Sequence, residues 1–253
     1  MREGLKIGLA KEQELGVNPF MYGFSVRTDN HNGLTSDVAE NDFTGGHAPE
    51  DRSVDRRRTG GVGGWIDGVD LSIGSLAGVW AEENTRASIW DAMKRRETFA
   101  TSGPRIKVRM FGGVGLGATD PREMVEEGYT NGVPMGGVLP HSDKAPTFTV
   151  YAEKDVLGAN LDRIQIIKGW VDAAGEVHEK IIDVTWSGDR SPREDGKLPP
   201  IGNTVDLETA LYTNEIGATS LFGRWTDAEF EPANGAFYYA RAIEIPTPRW
   251  TTY

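Results

Sequence analysis

The chain has no cysteine. That absence excludes disulfides, thiolate nucleophiles, zinc fingers and iron–sulfur clusters together. Long apolar runs are missing too. Nothing approaches the ~18–20 residues of a membrane span, and the opening MREGLKIGLAKEQELG lacks the apolar core of a secretory signal, so no membrane partner is expected. Positive charge is in deficit, with 27 Lys+Arg against 38 Asp+Glu and a net charge of −11. A general nucleic-acid surface is therefore not expected. A small phosphorylated substrate is compatible with this balance if bound cations reverse the field locally. The glycine runs GGVGGW at 60–65 and GGVGLG at 112–117 carry no Gly-Lys-Ser/Thr, and neither opens a helix after a clear strand, so both read as turns. No Gly-x-Ser-x-Gly elbow occurs, and nothing marks a serine, histidine and acid set as a triad.

What is present describes a loop-rich globular protein: 32 glycines and 13 prolines beside 38% apolar residues and seven tryptophans. A chain of 253 residues is long enough to bury ~70–75% of its unfolded surface, and two domains are expected.

The stretch YGFSVRTDNHNG at 22–33 sets large apolar Tyr22, Phe24 and Val26 against Gly23, Ser25 and Arg27. This period of two predicts a strand over 22–28, ending in Asp29 and His31 on its small-residue face. A carboxylate and an imidazole two residues apart can present two ligands to a cation. Asp-Asn-His-Asn-Gly is equally good turn chemistry, and two ligands alone do not make a site.

Before this stretch, residues 3–15 read as a helix with Leu5 and Leu9 four apart and Gly16 as a stop. A helix feeding a strand that ends in ligands is the rhythm of a β/α barrel or open α/β sheet. One such unit is too little for a barrel, which implies a fragment whose strand 22–28 lacks neighbours. Unpaired strand edges invite association, so a homodimer, or pairing with a segment of the same chain, is expected.

Residues 32–71 lack periodicity, as functional or solvated loops do. His47, Glu50 and Asp51 are further metal-ligand candidates within it, and Arg56, Arg57 and Arg58 are phosphate-binding candidates. From residue 76 the order returns. Residues 76–81 suit a short buried strand or turn, then a helix follows, capped by Asn84 or Thr85, with Glu82 and Glu83 at its positive end and Lys94, Arg95 and Arg96 in its last turns. Ile89, Ala92 and Met93 form its expected buried stripe. Capping and solvation account for all of its charges, Glu82 and Arg96 included.

After Pro104 alternation dominates. Residues 105–111, 147–152, 163–171, 177–186, 219–225 and 237–245 read as strands, with Ala173-Ala174-Gly175 turning a hairpin and Phe237, Tyr239, Arg241, Ile243 and Ile245 on one face. Short strands separated by turns indicate an antiparallel β-sandwich. The intervening 112–142 and 187–207 read as turn-rich. His141 and His178 read as ordinary surface or strand residues, and Trp170, Trp186 and Trp225 as core.

Three stretches carry a resemblance. TDNHN at 28–32, WAEENTRASIWDAMKRRETFATSGPRIKVRMFGG at 80–113 and YYARAIEIPTPRWTTY at 238–253 together resemble the C-terminal part of a large, mostly bacterial family of uncharacterised proteins related to the PHP (polymerase and histidinol phosphatase) metal-dependent phosphoesterases. The resemblance covers essentially all of the chain. It implies an α/β plus all-β fold, with residues 1–105 a partial PHP-like β/α barrel fragment and residues 106–253 an antiparallel β-sandwich-like domain. It also implies that Asp29 and His31 are the late Asp-x-His of a site holding divalent ions (Mn, Zn or Fe). Arg27 departs from the small residue usual two before that Asp, and reads either as repelling metal or as binding a phosphate. The early His-x-His and the intermediate ligands have no counterpart, so weak metal binding and little phosphoesterase activity are expected of these 253 residues alone. The competing reading is a β-sandwich accessory module that binds carbohydrate or packs within its own chain.

Overall fold

The computed structural model describes residues 2–26, 31–34, 36–46, 53–62, 64 and 66–253. The first part of the chain is made of short elements: α1 (Arg2–Leu15), α2 (Val54–Thr59), β1 (Gly61–Val62), β2 (Ile66–Asp67), β3 (Leu76–Val79), α3 (Arg86–Lys94) and β4 (Thr98–Thr101). Three of these follow from local chemistry. Gly16, at φ 74°, ends α1, the Thr85 hydroxyl accepts the Ser88 amide to cap α3, and Ser53 caps α2 by accepting from the Arg56 amide.

Longer elements follow: β5 (Lys107–Gly113), α4 (Pro121–Asn131), β6 (Val133–Pro134), β7 (Thr147–Glu153), β8 (Leu161–Val171), β9 (Val177–Trp186), β10 (Ser220–Thr226) and β11 (Gly235–Glu244). They form a four-stranded sheet ordered β10-β7-β5-β6 and a three-stranded sheet ordered β11-β8-β9. Every pairing is antiparallel. The two sheets share one apolar cluster, built from Met110, Phe148, Val150, Ile164, Ile166 and Leu221. The period of two explains which side chains reach it: Tyr238, Ala240 and Ala242 of β11 pack there, while Phe237, Tyr239 and Arg241 take the opposite face. Ile245 lies beyond a register shift at Ile243/Glu244 and is buried separately.

Helices cover the outer faces. On the three-stranded sheet lies α1, tied by Arg2 to the Tyr239 hydroxyl at 2.9 Å and to Glu179 at 2.6 Å, and by Gln13 to the Asp172 carbonyl at 3.3 Å. On the four-stranded sheet, α4 sets Met124 against Phe111 and Leu116. Gly128 permits this, because a Cβ there would lie 2.3 Å from the Phe111 ring.

Several expectations are corrected. Among the described residues no sheet closes into a barrel. Residues 21–26 form no strand; Tyr22 is 51% exposed, and Phe24 docks on Tyr239 with ring centroids 5.0 Å apart. The chain bends where the Tyr22 amide donates to the Phe20 carbonyl at 2.9 Å, so side-chain docking replaces a backbone ladder. The supposed unit of α1 and strand is therefore a helix laid on the sheet of the later strands. Residues 112–142, read as turns, contain α4, started by Asp120 accepting from the Arg122 and Glu123 amides at 2.7 and 3.0 Å. Met93 is 54% exposed because nine-residue α3 packs on β3 mainly through buried Ala92. Trp170, Trp186 and Trp225 are only partly buried, whereas Trp250, at 2% exposure, is the fully buried tryptophan among the described residues.

Candidate functional site

Of the sequence-predicted site residues, His31 and Arg57 can be placed. Arg27, Asp29, His47, Glu50 and Asp51 lie outside the described residues. His31 is exposed at the start of a loop whose neck is closed by hydrogen bonds. Its amide donates to the Gly46 carbonyl at 2.7 Å, and the Asn32 side-chain amide donates to the Gly45 carbonyl at 2.9 Å and to Thr44 Oγ1 at 3.2 Å. Asn32 Oδ1 accepts the Leu34 amide in an Asx turn, and Thr44 donates to Asp37.

What positions this loop is the far end of the chain. Phe43, Ile73 and Trp250 form a buried cluster with Val38 and Leu71 around it. The Trp250 amide donates to Glu40 Oε2 at 2.7 Å, and its indole donates to the Leu71 carbonyl at 2.9 Å. Arg249 also donates to Leu71, at 2.7 Å, and Arg58 donates to the Thr251 carbonyl. Burial pushes the Glu40 carboxyl up, opposed by the Trp250 amide and Arg249. Arg57 stacks its guanidinium over Phe43 and Trp250, 5.6 and 5.5 Å from the ring centres. Its place is thus in this clasp, with its Nε buried and unpartnered. Among the described residues no three of His, Cys, Asp and Glu stand together closely enough to hold a metal ion.

A second polar centre was not anticipated. Glu97, 1% exposed, accepts from the Tyr129 hydroxyl and pairs with Arg95 at 3.2 Å. Arg109 donates to the Tyr129 hydroxyl at 2.6 Å and lies 4.4 Å from the Trp80 ring centre. Burial and the Glu97 carboxylate together push the Tyr129 phenol up. The cluster ties β4 to β5 and α4. The only local signal for it in the sequence is the acid inside RRETF.

His178 Nε2 donates to Asp172 at 2.7 Å across the hairpin turn and its ring stacks on Trp170; this partnership lowers the Asp172 carboxyl. His141 is exposed, 4.0 Å from Asp143. Neither joins a cluster of ligand types among the described residues.

A groove of about 1010 Å³ lies at the mouth between β5 and β11, roofed by residues 20–26 and β4. Its walls are mainly apolar: Phe24, Phe99, Val108, Met135 and Leu139 contribute.

No helix among the described residues is long and apolar enough to cross a membrane. Neither a curated protein nor a solved structure matches the chain. A family described as a protein of unknown function, DUF3604, matches residues 1–253, so the chain belongs to that family.

Proposed function

We propose that this chain carries part of the metal site of a PHP-like phosphoester hydrolase, with Asp29 and His31 as two cation ligands and a small phosphorylated molecule as substrate. The observation that supports this most directly is the closed neck of the His31 loop, with its 2.7 Å bond from the His31 amide to Gly46. An exposed imidazole on a free loop samples many positions; one on a loop clipped shut and clasped by Trp250 samples fewer, which lowers the cost of coordination. The Asp-x-His at 29–31 within the resembling block supplies the second ligand. The described residues alone fall short of a complete donor set. A divalent ion, once bound, supplies Lewis-acid polarisation of a phosphoryl oxygen and an acidified water. The chain's own contribution is to hold the two donors, and the role of residues 245–253 is to brace the loop that carries one of them. That bracing also favours the packing form of the accessory-module reading, in which the sandwich serves the ligand loop within its own chain.

Calorimetric titration with manganese or zinc tests the proposal. Weak saturable binding, lost in Asp29→Ala and in His31→Ala, is expected, with little turnover of a chromogenic phosphodiester by these 253 residues. Binding unchanged in both variants would sink it. A saccharide titration insensitive to Asp29→Ala would instead favour the carbohydrate module.

A further inference from the structure

The groove between β5 and β11 is lined by the guanidiniums of Arg96 and Arg241. Arg96 Nε donates to the Gly136 carbonyl at 2.9 Å, while its terminal amines make no hydrogen bond among the described residues. Arg96 also holds φ 61°, a left-handed conformation that costs a non-glycine residue about 1–3 kcal/mol and tends to survive at ligand clamps. The hydroxyls of Thr98, beside it, and of Thr101, farther along β4, are buried with no partner among the described residues, although both residues line the same groove. Gly23 packs close against both Arg96 and Thr98: a Cβ built there would lie 3.0 Å from Arg96 Cβ and 3.1 Å from Thr98 Oγ1. The other charged groups lining the groove are engaged or muted. Arg241 makes two bonds to Gln165 Oε1, at 3.0 and 2.5 Å, and Glu12 accepts from Asn18 at 3.2 Å. Burial pushes the Glu244 carboxyl up to about 7.

From this juxtaposition we infer that the groove binds an amphipathic carboxylate, its apolar chain along Phe99, Val108, Met135 and Leu139 and its anionic head on Arg96 beside Thr98. The space, about 1010 Å³, stands at the upper end of the roughly 300–1,000 Å³ that small-molecule sites occupy, which suits a long chain better than a compact metabolite. A guanidinium in a mainly apolar wall selects for charge, because an uncharged ligand leaves its donors unpaired. This site is independent of the metal-site proposal.

The test is calorimetric titration of the whole chain with dodecanoate below its micellar concentration, and in parallel with dodecanol. Dodecanoate is expected to bind the wild type at least about tenfold more tightly than dodecanol, as one charge-assisted hydrogen bond implies. In Arg96→Asn, a residue that tolerates the left-handed backbone, dodecanoate should fall to the affinity of dodecanol while dodecanol is unchanged. Should Arg96→Asn lose both ligands, Arg96→Lys decides: retained preference for dodecanoate supports the site, and a lost preference overturns it. Equal affinity of the wild type for both ligands would give the groove to an uncharged apolar segment and overturn the inference. No binding together with a dimeric mass in light scattering would give it to a second copy of the chain, with the same consequence.

Discussion

Residues 107–244 hold together through long ladders, of which β8 runs eleven residues and is buried along both faces. The described residues within 17–75 contain two strands of two residues each and owe their placement largely to contacts from elsewhere. In the first region backbone pairing and apolar burial reinforce each other along the central strands. In the second, a handful of side-chain and backbone bonds to residues 249–251 hold loops whose described residues have almost no ladder of their own. A region held by ladders resists local change and fails as a whole, whereas one held by a clasp can loosen alone. The site candidate His31 sits in the clasped region. Loops carrying function are commonly of this kind, positioned by a rigid scaffold.

Three changes would break or sharpen this contrast. The largest effect is expected from Lys168→Ala within the ladders. Lys168, 4% exposed, lies 2.6 Å from Asp227, which also accepts from the Tyr238 hydroxyl at 2.7 Å. That phenol is held far above its usual value by burial and by Asp227. Removing the ammonium strands a buried carboxylate and should cost about 3–5 kcal/mol. Urea denaturation should show one cooperative transition shifted as a unit; a loss confined to residues near β8 would blur the distinction.

Next, Trp250→Ala should cost about 3 kcal/mol, expressed locally. Amides of residues 31–46 should exchange faster while those of β8 keep their protection. Equal acceleration in both regions would show that the clasp and the ladders unfold as one.

The smallest effect concerns Glu244 at the end of β11. Its folded-state value of about 7 exceeds the ordinary 4.5, mainly through burial, with Asp155 adding and Lys154 opposing. The unfolded chain therefore ionises first. Stability is fully present below about 4.5 and is lost as pH rises to about 7. Across that window the loss is at most about 3 kcal/mol. Glu244→Gln should flatten this slope in thermal melts taken across the window, and an unchanged slope would remove Glu244 as its source.

Much of the ladder region was legible beforehand. Alternation located β5, β7, β9, β10 and β11, because packing one face more than the other imposes a period of two, while β8, buried along both faces, was marked by its mostly apolar run IQIIKGWV. The turn at 173–175 was legible as well, since Asp172 accepts the Ala174 and Glu176 amides and Gly175 adopts φ 82°. Residues 22–26 show why the rest was not. Their alternation is real, but a strand needs a neighbour to share its backbone bonds, and here Phe24 found the Tyr239 ring instead. The helix α4 was missed although Asp120-Pro121 and Gly132 bracket it, because glycines on either side suggested only turns. Of the candidate site, the sequence indicated residue types able to ligate a metal, and it gave no sign of the clasp.

By itself, then, the sequence determined the caps, the hairpin and the strand alternation, all of which depend on residues a few positions apart. Tertiary structure alone decided that α1 lies on the β11-β8-β9 sheet, that Lys168 meets Asp227, and that Trp250 reaches Leu71 across 179 positions. Such contacts exist only once separate elements have packed, so no local pattern of residue types encodes them.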